Sequence, residues 1–141
     1  MELSFDSGVK EYTIRGVNGI VTMYFNPADV NFAKKAYRVF NDLRKKQEER
    51  VAKLDTTEPG DELFDMVDSI DREMRDIIND LFGQDIADTL FGSINAYSAA
   101  NGAPVWQNFM MAIIDQFEDA TKREQALADE KIRKYTQKYK K

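Results

Sequence analysis

The sequence predicts a mostly helical α+β protein, an N-terminal β-hairpin packed on about four helices. Three observations carry that expectation. Residues 10–25 are rich in Thr, Ile, Val and Tyr, and Gly16-Val17-Asn18-Gly19 interrupts them with an Asn-Gly pair that signals a hairpin turn. Apolar residues then recur every three or four positions over 32–43, 63–81 and 106–117. The stripes are separated by Pro and Gly, at 59–60, 83, 92 and 102–104. A chain of 141 residues, 43% apolar and 32% charged, fits one soluble domain. At that length folding buries about 68% of the unfolded surface, so the core needs no staples.

The elements follow in order. Lys10–Arg15 and Gly19–Phe25 form the hairpin, with Tyr12 and Ile14 on one face and Ile20, Thr22 and Tyr24 on another. Leu3–Asp6 is expected to add a short third strand. Asn26 is placed as the N-cap of the first helix, with Pro27 at its first position. Phe32, Ala36, Val39, Phe40 and Leu43 give that helix an apolar stripe, which thins into charge from Arg44 to Lys53, where the helix projects or frays. Asp55–Gly60 is the linker. In the second helix Leu63, Val67, Ile70, Met74, Ile77 and Leu81 repeat at a/d spacing, and Gly83 is its C′ residue. A short helix over Asp85–Phe91 ends at Gly92. Pro104 opens the last helix, with Trp106, Phe109, Met110, Ile113, Ile114 and Phe117 on its apolar face. The organisation is therefore one domain over 1–141, made of the hairpin (1–25), a helical core (26–119) and a charged C-terminal helix or tail (120–141).

Charge is segregated beneath a net −5: +5 over 34–54, −10 over 55–88, and +5 again over 120–141. Such blocks suggest that the acidic middle lies against basic neighbours, within the chain or between copies.

The chain has no His and no Cys. That excludes disulfides, zinc fingers, haem or iron–sulfur ligation, and Ser–His–Asp or Cys–His catalysis. A calcium loop starting at Asp55 fails because Met66 stands where a bidentate Glu is required. Asp68, Asp71 and Glu73 read as a solvated helix face rather than a magnesium site. Gly16–Gly19 lacks the lysine and serine of a phosphate loop. No cofactor, metal or catalytic residue is expected, and the chain reads as non-enzymatic. The start has neither a basic nor an apolar leader region. The longest apolar run, Phe109–Ile114, falls far short of the ~20 residues of a membrane helix.

Basic side chains on the first helix (Lys34, Lys35, Arg38, Arg44, Lys45, Lys46) and in the tail, with Tyr135 and Tyr139 four apart, would suit phosphates and bases. The acidic middle opposes a polyanion, so nucleic acid is not the expected partner. The stretch around Trp106, Met110, Met111, Ile114 and Phe117 combines aromatic and Met side chains suited to an adaptable protein-binding surface as well as to a core.

The order of motifs resembles a known family. A hairpin leads through Tyr24-Phe25-Asn26-Pro27-Ala28-Asp29 into a charged helix. An acidic helix then runs into Asp80-Leu81-Phe82-Gly83-Gln84-Asp85 and on to Thr89-Leu90-Phe91-Gly92, before a closing helix after Pro104. This resembles the tail assembly chaperones of long-tailed, siphovirus-type phages and of Gram-positive prophages, most tellingly in the doubled Leu-Phe-Gly. The resemblance implies a small non-catalytic protein of the bacterial host cytoplasm, absent from the mature virion. It would bind and solubilise the tape-measure protein, associate with itself, and meet the tail tube protein at assembly. A longer frameshifted form is also implied, for which Lys140-Lys141 would mark an A-rich slippery run. The alternatives are another phage structural protein, such as a head–tail connector, or a small nucleic-acid-binding regulator.

Overall fold

A computed structural model describes residues 1–139; the Lys140-Lys141 expectation lies outside them. The architecture is α+β and mostly helical. The elements are β1 (Lys10–Gly16), β2 (Gly19–Phe25), α1 (Val30–Thr56), α2 (Asp61–Phe82), α3 (Ala87–Phe91), β3 (Ala99–Ala100), β4 (Ala103–Pro104) and α4 (Val105–Tyr139).

β1 and β2 pair antiparallel in the register Tyr12↔Met23 and Ile14↔Val21, closing at Gly16↔Gly19. Facing residues share a side of the sheet, so Tyr12, Ile14, Val21, Met23 and Phe25 form its inner face. Val21, Met23 and Phe25 are buried, while Ile20 and Tyr24 point to solvent. The loop residues are Val17 and Asn18, neither with positive φ; the left-handed strain falls on Gly19 at φ 129. The other Asn-Gly pair makes the mirror-image turn. Asn101 (φ 55) and Gly102 (φ 86) join β3 to β4 in a two-residue loop.

The hairpin tip docks on α3. The Val17 and Asn18 amides donate to the Leu90 and Thr89 carbonyls, both at 3.0 Å. A Cβ on Gly16 would lie 2.6 Å from the Thr89 carbonyl oxygen, so only glycine permits the approach.

Several boundaries differ from the sequence expectation. Residues 3–6 form no strand. Asn26 caps a turn rather than α1: its Oδ1 accepts from the Ala28 amide at 2.7 Å, and Pro27 precedes the helix. The N-cap is Asp29, whose side chain accepts from the Asn31 amide. Of the two expectations for 44–53, projection holds: α1 continues as a helix to Thr56, and the linker shrinks to Thr57–Gly60. α3 begins at Ala87 instead of Asp85, because Asn79 Oδ1 accepts from the Ile86 and Ala87 amides and fixes its start. Pro104 belongs to β4, and α4 starts one residue later. Its first amides, on Val105 and Trp106, donate to the Ser98 and Ala96 carbonyls. No boundary separates a tail at 120: α4 runs unbroken to Tyr139, although burial stops after Ala120. Gly83 is the helix-ending residue expected, at φ 63, with Gly83 and Gln84 amides closing on Asp80 and Asn79.

One core draws on both hairpin strands and all four helices. Met23, Ala36, Leu43, Met74, Ile78, Ala87, Trp106 and Met110 are fully buried within it. Around Phe25 lies an aromatic cluster: Tyr12 stacks at 4.3 Å, Phe32 at 4.9 Å, and Phe117 meets it edge-on.

Candidate functional site: a groove between the hairpin and the last helix

A largely apolar, open groove of about 690 Å³ lies between β1 and the first half of α4, floored by Leu90 and Phe91. Tyr12, Ile14 and Val17 line it from the hairpin; Val105, Phe109, Ala112 and Ile113 line it from the helix. Thr13, Arg15, Asn108 and Gln116 add the polar groups. The spacing of 105, 109, 112 and 116 puts one stripe of α4 along the groove, beside the stripe that enters the core.

β1 brings more than side chains. A two-residue loop makes Gly16↔Gly19 a hydrogen-bonded pair, and the bonded pairs alternate along the ladder. The backbone groups of Glu11, Thr13 and Arg15 therefore point away from β2, and among the described residues none has a backbone hydrogen-bond partner. The groove is thus bordered by a free strand edge, a template for adding a strand.

The five residues expected to bind a partner do not form one surface. Trp106 is fully buried, its indole N–H donating to Gln47 Oε1 at 2.7 Å, and Met110 is fully buried. Phe117 is 5% exposed within the aromatic cluster. Ile114 is half-buried against the core. Met111 alone is well exposed, at 46%. The groove uses their neighbours, and β1's contribution was invisible without tertiary structure. A readable signal did exist: the second helical stripe of Val105, Phe109, Ala112 and Gln116.

Electrostatics of the acidic segment are largely structural. Arg75 is 4% exposed. It donates to Asp71 Oδ2 at 2.8 Å, Asp88 Oδ1 at 3.1 Å and the Ile94 carbonyl at 2.8 Å, and lies over the Phe91 ring. Asp71 also accepts from the Ala96 amide at 2.7 Å. The Arg75 guanidinium holds the Asp88 carboxyl below the usual carboxylate range, with Arg72 assisting. Glu73 pairs instead with Lys46, the one ion pair joining α1 to α2 among the described residues, and this hydrogen bond raises the lysine's pKa. Asp71 and Glu73 thus serve different partners. Among the described residues no three carboxylates gather as a metal site. Among the described residues the broad contact expected between acidic and basic blocks is not made within the chain: Asp61, Asp65, Asp68, Asp76 and Asp80 face solvent.

Behind the groove's helix, Tyr97 is 5% exposed and its hydroxyl has no hydrogen-bond partner among the described residues. Burial pushes its phenol up to about 12, against the pull of Arg50, whose guanidinium sits 4.9 Å from the ring centroid. From pH 10 to 12 the unfolded phenol ionises while the folded one stays neutral, so stability falls as pH rises. The loss is about 1.4 kcal/mol per pH unit. Tyr97→Phe is expected to remove this part of the alkaline loss and leave stability at pH 7 unchanged or raised. Urea titrations at pH 7 and pH 11 measure both.

A scan of family models finds no match to the chain, and comparisons with characterised proteins and with solved structures find none either. No helix among the described residues is long and apolar enough to cross a membrane.

Proposed function

We propose that this protein is a tail assembly chaperone that binds the tape-measure protein and keeps it soluble until tube subunits polymerise around it. The observation that carries the reading is the groove, an apolar channel bordered by unpaired strand backbone. A tape measure is long, helical and apolar along one face, so before assembly it needs its exposed stripe covered. A groove lined by Phe109, Ile113, Ile14 and Val17 offers hydrophobic contact with little sequence discrimination. The doubled Leu-Phe-Gly supports the same reading through its two tasks here. Leu81-Phe82-Gly83 closes α2 against the aromatic cluster, and Leu90 and Phe91 floor the groove while Gly92 ends α3.

The test is co-expression with a tape-measure protein, followed by affinity capture. A soluble client that co-purifies with several copies of this protein supports the reading; an insoluble client recovered alone rejects it. Ala112 is exposed and lines the groove. Ala112→Arg is expected to return the client to the pellet while changing fold stability by less than about 0.5 kcal/mol. Met110→Ala, in contrast, is expected to cost about 2–5 kcal/mol and so to report on folding.

A further inference from the structure

Residues 1–6 read Met-Glu-Leu-Ser-Phe-Asp, a strict alternation of apolar and polar side chains. That is the pattern of a strand with one buried face. The fold gives it no burial: Leu3 is 86% and Phe5 88% exposed, and no strand includes them. The root of this arm is held in place. Asn26 Nδ2 donates to the Ser7 carbonyl at 3.0 Å, Asp6 Oδ1 accepts from the Gly8 amide at 2.9 Å, and Gly8 takes φ 75. These contacts anchor the arm at the Lys10↔Phe25 end of the hairpin, away from the turn. To enter its own groove it would have to double back beside β1 through the residues that are pinned.

We infer that the groove receives the arm Met1–Asp6 of a second copy, added as a strand to the outer edge of β1. The edge is available, since the outward backbone groups of Glu11, Thr13 and Arg15 have no backbone partner among the described residues. The lengths agree: the groove follows β1 from Tyr12 to Val17, and six extended residues span about 20 Å on either side. The faces agree as well. With Leu3 and Phe5 on the side of Tyr12 and Ile14, they enter the groove against Phe109 and Ile113. Glu2, Ser4 and Asp6 then lie on the outer face with Glu11, Thr13 and Arg15. Arm into groove is a heterologous contact, which builds rings or filaments. This inference concerns self-association, and the arm and the proposed client would compete for the one groove.

Sedimentation equilibrium of the full chain across a wide concentration range tests it. The wild type is expected to associate. Leu3→Ser combined with Phe5→Ser, at positions already exposed in a single copy, is expected to weaken association on the order of a hundredfold. Ala112→Arg is expected to weaken it by blocking the groove. Each variant alone should be folded by circular dichroism and monomeric, and a mixture should form a heterodimer, since one supplies the arm and the other the groove. A wild type that stays monomeric, arm variants with wild-type mass, or a mixture that fails to combine overturns the inference. So does a monomeric wild type whose groove binds the tape measure, which would leave the groove to the client alone.

Discussion

Arg75→Ala is expected to destabilise the fold by about 3–5 kcal/mol, because it leaves a buried carboxylate without its cation. Asp71 is only 15% exposed at its side chain and would keep one hydrogen bond, from the Ala96 amide. The Ile94 carbonyl would lose its donor, and Phe91 its overlying cation. Arg75 joins α2, α3 and the loop before β3, so the loss spreads beyond a single ion pair. Arg75→Met with Asp71→Asn is expected to cost less than Arg75→Ala alone, since no unpaired charge remains. Urea denaturation of Arg75→Met, Asp71→Asn and their double gives the coupling directly. The acid limb supplies a second readout. Asp88 has a lowered pKa when folded, so its stabilising contribution is present above the ordinary carboxylate value and is lost as pH falls through the lowered one. Its side chain is 57% exposed, which keeps this component small, and Arg75→Ala should flatten it further.

Trp106→Ala should cost a similar amount, about 3–5 kcal/mol, for a different reason. The indole is fully buried at the start of α4, 5.6 Å from the Phe40 ring, and its N–H reaches across to Gln47 on α1. Truncation opens a large cavity where α1 and α4 meet and strands the Gln47 carbonyl oxygen. Trp106→Phe should recover most of the loss, because it refills the space and forfeits only the hydrogen bond. Thermal and urea unfolding of the pair separates packing from polar contributions. A client-binding defect in either variant would follow from lost structure, which is why Ala112 rather than Trp106 is the position that tests the groove.

The helices were legible because their signals are local. The a/d repeat from Leu63 to Leu81 and the glycine at 83 need only the chain's own 3.6-residue period and the left-handed freedom of glycine. Boundaries were harder wherever side chains reached across elements. Asn79 decides where α3 begins from within α2, and Asp29 outcompetes Asn26 as the cap because Asn26 is engaged with Ala28 and Ser7. Of the stretch expected to bind a partner, Trp106, Met110 and Phe117 are buried in the core, and the groove is lined by a neighbouring stripe of the same helix. Aromatic and Met side chains at helical spacing look alike whether they enter a core or line a groove, and only the positions of α1 and β1 separate Met110 from Ala112.

By itself, the sequence determined the N-terminal hairpin, the order of the four helices and the classes of chemistry that a chain without His or Cys cannot perform. Each follows from composition or from a period written along the chain. Tertiary structure alone decided where the free edge of β1 lies, which face of α4 meets it, and that the alternating residues 1–6 join no strand of their own copy. Those outcomes depend on the hairpin tip docking on α3 through Gly16, Leu90 and Thr89, contacts more than seventy residues apart in sequence. A one-dimensional pattern records which residues seek burial; which surface satisfies them is settled only when distant elements are brought together.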